Sequence, residues 1–199
     1  MKRGNQSKPS PWNPGGLKSP EISMDGQKVA YVIDNAVHVR WLRSGGDRIV
    51  LDDVSFASMA WSPDGRFLVV GSVVHKLRRI QVSTGLTRVC AKRGSTNPAW
   101  RPGSNEIVFA AEDLRRGTSR LRVTDCNGRS RPFVVPGRGY DFEPAWSRDG
   151  RRLAFVRGST AADRNPVLDS EIYTWDTVSK RLRRLTRNSQ SDLGPAWVM

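Results

Sequence analysis

Three carboxylates, Asp141, Glu143 and Asp192, and the neutral polar side chains of Asn97 and Tyr140 stand at the leading edges of segments that recur along this chain of 199 residues. Acids gathered from several such edges could seat a cation or a basic peptide group through their oxygens. The competing assignment has them capping turns or pairing with Arg138 and Arg187. Other chemistry is thinly supplied. His38 and His75 are the two histidines, and without a GxSxG elbow a Ser-His-Asp triad lacks its parts. HExxH, CxxC, P-loop and GxGxxG patterns are absent. No catalytic residue, metal site or cofactor is therefore expected. Cys90 and Cys126 are too few for a disulfide framework or a four-ligand zinc site. Their spacing does not say whether they meet, and two unpaired thiols are the simpler expectation.

The segments that must position these residues are copies of one unit. Ser62-Pro63-Asp64-Gly65 follows Trp61, Arg101-Pro102-Gly103-Ser104 follows Trp100, and Ser147-Arg148-Asp149-Gly150 follows Trp146. Ser23-Met24-Asp25-Gly26 follows Ile22, which holds the tryptophan slot of the first copy. Trp197 opens a further one. The slots at 22, 61, 100, 146 and 197 are separated by 39, 39, 46 and 51 residues. A period of that size marks a repeat architecture. Past each turn come two apolar slots, Val29 and Tyr31, Leu68 and Val70, Ile107 and Phe109, Leu153 and Phe155. In the fourth unit, strands are expected over 144–147, 152–157, 171–176 and 181–186, and the other units supply the same parts. Third strands are expected over 36–41, 79–83 and 120–125, and fourth strands over 48–51, 86–90 and 132–135. Gly45-Gly46, Thr84-Gly85 and Asn127-Gly128 supply hairpin turns.

No stretch has helical spacing, so the fold is expected to be all-β. Four-stranded antiparallel units that cannot bury their faces alone must stack, which is the requirement of a β-propeller. Trp61, Trp100, Trp146 and Trp197 become structural wedges between blades. Blades are expected at about 21–55, 56–94, 95–139 and 140–190, with 191–199 the first strand of a fifth. Residues 1–20, rich in proline and glycine, are expected as a flexible leader.

Lys and Arg number 33 against 19 Asp and Glu, a formal charge of +14. An acidic partner would suit that excess, although a solvated, Arg-rich exterior is the simpler account. Nucleic-acid binding would want aromatics interleaved with the charge, and here the repeat's core slots claim them. The basic run Lys180 to Arg187 reads as an outer strand whose arginines blunt a sheet edge. No apolar run is long enough to span a bilayer. Met1-Lys2-Arg3 has no apolar stretch behind it, so no export signal is read and a cytoplasmic location is the default expectation.

EPAWSRDGRRLAFV, EIYTWD and RLRRLT of the fourth unit resemble the TolB-like propellers, whose repeat reads PxWSPDGxxIAF, then IYxxD, then a basic-polar strand ending in LT. The second unit, MAWSPDGRFLVVG, matches the first half of that pattern; the third departs at Pro102-Gly103-Ser104 and the first lacks the tryptophan. The resemblance covers residues 21 to 199 and implies a propeller, usually of six blades, of which this chain would be an incomplete ring: a fragment, a smaller ring closed by its terminal strand, or one completed by a partner. Open edges of that kind invite self-association. Members serve as periplasmic components, as gating domains of prolyl-oligopeptidase-like hydrolases, or as adaptors, so scaffold does not fix function. The resemblance implies a non-enzymatic scaffold that binds a protein or peptide through loops at the channel mouth. The alternative is the propeller part of a hydrolase whose catalytic domain lies elsewhere, with electrostatic nucleic-acid binding behind it.

Overall fold

The Ser-x-Asp-Gly segments close their hairpins with their own side chains. In the computed structural model, which describes residues 18–54, 58–92, 94–113, 115–128, 130–133, 135–159 and 169–197, Ser62 donates to Asp64 Oδ1 at 2.6 Å and accepts the Phe67 amide at 2.9 Å. The Arg66 amide donates to the same carboxylate at 3.0 Å. Ser23 with Asp25, and Ser147 with Asp149, repeat these bonds. The Ser23 hydroxyl, helped by the Gln27 amide, holds the Asp25 carboxyl down to about 2. In the third unit Ser104 takes over, accepting the Glu106 amide at 3.1 Å.

These turns join four antiparallel sheets, each a four-stranded meander in chain order. The first blade comprises β1 (Lys18–Ile22), β2 (Lys28–Ile33), β3 (Ala36–Trp41) and β4 (Asp47–Leu51). The second has β5 (Ser58–Trp61), β6 (Phe67–Gly71), β7 (Leu77–Gln81) and β8 (Thr87–Ala91). The third has β9 (Ser95–Trp100), β10 (Ile107–Asp113), β11 (Thr118–Thr124) and β12 (Arg131–Pro132). The fourth has β13 (Tyr140–Trp146), β14 (Arg152–Gly158), β15 (Glu171–Asp176) and β16 (Leu182–Arg184). Among the described residues no helix is long and apolar enough to cross a membrane.

Several boundaries differ from the sequence expectation. The first strand of the fourth blade starts at Tyr140 instead of Pro144, because a bulge between Phe142 and Ala145 lets the chain pair with β14 on both sides of Glu143-Pro144. The third strand of the second blade lies at 77–81, two residues early, and the fourth strand of the third blade shrinks to two residues. Lys18 to Pro20 join β1 and do not extend the leader; the rest of that leader lies outside the described residues. Residues 191–197 form no ladder of their own, yet Trp197 takes a wedge position.

Adjacent blades bury one face against the next. Ala30, Val32, Val37 and Val39 of the first meet Trp61, Leu68, Val70 and Ile80 of the second. Val69, Leu77 and Cys90 meet Trp100, Ile107 and Phe109. Val108, Leu121 and Val123 meet Trp146, Leu153, Phe155 and Trp175. Each wedge is capped by the residue six past the preceding slot: Lys28 lies 5.8 Å from the Trp61 ring centre, Arg152 5.0 Å from that of Trp197, and Phe67 stacks on Trp100 with centroids 6.4 Å apart. In the third blade that residue is Glu106. It pairs at 2.8 Å with Arg101, and Arg101 covers Trp146 at 5.0 Å.

The cysteines correct the sequence expectation. Cys90, at the end of β8, and Cys126, in the turn after β11, form a disulfide with Cα atoms 4.2 Å apart. Both are buried in the core between the second and third blades.

Candidate functional site

The first strands of successive blades lie side by side, β1 with β5, β5 with β9 and β9 with β13, and so surround the axis. The slot three residues before the wedge tryptophan holds Ser58, Asn97, Glu143 and Gly194 in four units. Three of the four have left-handed backbone: Asn97 at φ 46°, Glu143 at 48° and Gly194 at 64°. Glycine reaches that conformation freely, whereas other residues held there cost about 1–3 kcal/mol and cluster where function needs them. Each is followed by proline, at 98, 144 and 195. The slots are tied from blade to blade: the Asn97 amide donates to Ser58 Oγ at 2.7 Å, and the Gly194 amide donates to Glu143 Oε2 at 2.7 Å.

Together they line a cavity of about 230 Å³ with Glu21, Met59, and the prolines that follow the three left-handed slots. Every blade contributes. Among the described residues no lysine or arginine lines this cavity, in a chain that carries 33 of them. Glu21 is half-buried, and burial pushes its carboxyl up to about 6. Its backbone carbonyl is fixed by the Trp61 indole N–H at 2.8 Å. The pocket thus presents two carboxylates, an amide and a hydroxyl, with no cation among the described residues that line it. Among the described residues no group of three or more His, Cys, Asp or Glu is placed to hold a metal ion. An organic cation, taken by two carboxylates and an amide oxygen, suits this donor set better than a bare metal.

Of the residues expected at the mouth, Asn97 and Glu143 line the pocket, and Tyr140, Asp141 and Asp192 do not. Asp141 is the clear correction. It is 3% exposed, and its oxygens accept Arg157 Nε at 2.6 Å and Nη2 at 3.0 Å. It is no free carboxylate, and its partner is neither Arg138 nor Arg187. The Tyr140 hydroxyl donates to Glu112 at 3.1 Å and its ring packs edge-on against Phe142, while burial and then the Glu112 charge push the phenol's pKa up. Asp192 accepts the Asn188 side-chain amide at 2.8 Å and is tied through its main chain to Ser170. Neither Glu21 nor Ser58 is among the residues expected at the mouth. The signal was available: Ser58 occupies the same slot as Asn97 and Glu143.

Asn97 supplies a direct check on whether this slot serves the fold. Asn97→Gly relieves left-handed strain and removes a side chain with no hydrogen-bond partner among the described residues. Thermal unfolding should show stability unchanged or raised, by up to about 1 kcal/mol. A loss of more than that would make Asn97 a structural residue.

Meanders of four antiparallel strands, wedged by tryptophan and stacked about an axis, define the β-propeller class. Comparison with known proteins narrows this. No family model matches the chain. A TolB homologue of Chlorobium chlorochromatii (strain CaD3) is 34% identical over 103 residues, 49% of this chain and 22% of that protein. The crystal structure of TolB from Acinetobacter baumannii, 18% identical, superposes over 88% of this chain and 45% of its own length with a TM-score of 0.69. An oligogalacturonate lyase in complex with manganese, also 18% identical, does so over 84% and 52% with a TM-score of 0.61. The chain has the fold of a TolB-like β-propeller. It spans about half the length of these solved structures, and its match covers about a fifth of the Chlorobium protein. Likeness at 18% identity speaks for the scaffold, and the site must speak for function.

Proposed function

We infer that the chain is a non-enzymatic propeller scaffold whose axial pocket binds a basic group of a protein or peptide partner, an arginine or lysine side chain or an N-terminal amine. The observation that carries this reading is the pocket's charge: Glu21 and Glu143 line a cavity to which no lysine or arginine among the described residues contributes, in a strongly basic chain. The overall charge of +14 does not oppose it, because charges beyond about 8 Å are screened at physiological ionic strength while the carboxylates lie in contact range. Asn97 and Ser58 add hydrogen-bonding groups that orient a guanidinium or ammonium, and the left-handed slots supply rigidity.

The test is fluorescence anisotropy with a short labelled peptide carrying one central arginine among glycine and serine. Wild type should bind it, and a Glu21→Gln, Glu143→Gln double variant should bind at least about tenfold more weakly, equivalent to about 1.4 kcal/mol. Equal affinity in the two proteins would remove the pocket from the site. The pH dependence has a definite sign. Because burial raises the Glu21 pKa from 4.5 to about 6, this group favours the folded state below about pH 4.5, and that contribution fades as pH rises through about 6. A bound cation favours the charged carboxylate, so affinity should rise between about pH 5 and about pH 7. Glu21→Gln should flatten that rise.

A further inference from the structure

A second cavity, of about 450 Å³, opens between the second and third blades, on the blade face that looks toward the second. Its floor is Phe109 and Ala111 of β10. Its walls carry Lys92, at the end of the second blade, with Arg120 and Arg122 of β11. The repeat explains why the space exists. In the fourth blade the slot eleven past the tryptophan is Arg157, which lies 5.2 Å from the ring centres of Phe155 and Tyr173 and covers them. In the third blade that slot is Ala111. The residue paired across from Phe155 is Tyr173, while the one across from Phe109 is Arg122. A small residue and an arginine thus replace a filled aromatic seam, and a groove results.

The cations of this groove are held but not neutralised. Arg122 donates from Nε to Ser130 Oγ at 3.0 Å and from Nη2 to the Ser130 carbonyl. Arg120 donates from Nη1 to the Gly139 carbonyl. Carbonyls fix a guanidinium's position and leave its charge, so N–H donors remain for an anion. Two carboxylates also border the cavity, but both are engaged. Glu112 accepts the Thr96 and Tyr140 hydroxyls, and Asp113 accepts the Arg115 and Arg116 amides and pairs with Arg116 at 3.7 Å. Lys92, Arg120 and Arg122 have no carboxylate partner among the described residues.

We propose that this inter-blade groove is a docking site for an acidic peptide segment of a partner protein, whose aspartate or glutamate carboxylates engage Arg120 and Arg122 while a neighbouring apolar side chain rests over Ala111. Charge complementarity selects the occupant, since an arginine fork binds a carboxylate through paired hydrogen bonds. A nucleic-acid strand is disfavoured by the floor: Phe109 is 1% exposed and offers no face on which a base could stack. The site is separate from the axial pocket, so either can fail alone.

The probe is a short labelled peptide alternating glutamate with leucine, followed by anisotropy at low and physiological salt. Wild type should bind it, with affinity falling as salt rises. An Arg120→Gln, Arg122→Gln double variant should bind at least about tenfold more weakly. A control that removes the same charge elsewhere, Arg181→Gln with Arg183→Gln on the exposed edge of the fourth blade, should change affinity less than about twofold. Lys92→Gln guards against misfolding of the arginine variant. Its ammonium has no partner among the described residues, and its loss should weaken binding about two- to fivefold without altering thermal unfolding. Absence of wild-type binding, equal losses in control and groove variants, or displacement of the peptide by polythymidine at comparable affinity would each overturn the proposal.

Discussion

Asp141→Asn should cost the protein about 3–5 kcal/mol, making it among the most damaging single substitutions in the chain. The pair it breaks has side chains 5% and 8% exposed, and it joins residues directly opposite each other on β13 and β14. Removing one partner strands the other as a buried charge, which is far more costly than never having had the pair. Arg157 has a third tie, donating from Nη1 to the Pro136 carbonyl at 2.8 Å, and its stem runs against the 137–139 segment. A methyl group on Gly139 would come within 2.4 Å of Arg157 Cγ, so Gly139→Ala should damage the same unit. Urea unfolding monitored by tryptophan fluorescence reads the cost. An Asp141→Leu, Arg157→Met double variant should recover most of it, because an apolar pair of similar size leaves no charge behind. A cost below about 1 kcal/mol for Asp141→Asn would mean that the carboxylate is not held as described.

Loss of the disulfide should cost about 3.5–4 kcal/mol by the loop-closure argument, for a bridge that spans 36 positions of sequence. Cys90→Ala with Cys126→Ala removes the bridge while keeping small apolar groups in the core, and its unfolding midpoint should fall accordingly. Adding reductant to the wild type should produce a similar fall, and adding it to the double variant should produce none. The bridge ties the end of the second blade to a turn of the third, so its absence acts on the interface that also forms the basic groove. Disulfides persist in oxidising surroundings. The native chain therefore holds its full stability only there.

The architecture was written openly in the sequence because it is local and repeated. Tryptophan slots, Ser-x-Asp-Gly turns and alternating apolar positions each act within a few residues, and their recurrence at Trp61, Trp100 and Trp146 fixed the blades. The site was less legible because it is made where the local rules are broken. Glu143 reads as the loop residue before a strand that begins at Pro144, but the pair forms a bulge inside a longer strand. A strand begun at Pro144 leaves Asp141 outside it, among the candidate carboxylates of the mouth. Begun at Tyr140, the same strand sets Asp141 opposite Arg157. The cysteines carried no pattern at all, since two residues from different repeats meet only when the blades stack. Glu21 carries no repeat signal, because it lies one residue before the Ile22 slot and not in the slot that Ser58, Asn97 and Glu143 share.

The two sites differ in how they depend on the repeat. The axial pocket takes Ser58, Asn97, Glu143 and Gly194 from one slot of four units, and Glu21 from a different position, one residue before the Ile22 slot. The inter-blade groove is found where the third blade has Ala111 and Arg122 in place of the fourth blade's Arg157 and Tyr173, which pack over Phe155. In both, the scaffold supplies geometry and the departure from the repeat supplies chemistry.

The most direct test of the central claim is a chemical-shift map. Isotope-labelled protein should be titrated with the arginine peptide while its backbone amide signals are followed. Binding in the axial pocket predicts that the shifting amides cluster at Glu21, Ser58, Asn97, Glu143 and Gly194, from five separate repeats, with Asp141 and the groove residues Arg120 and Arg122 unmoved. Shifts confined to an outer blade edge, or none at peptide concentrations well above those of the affinity measurement, would contradict it.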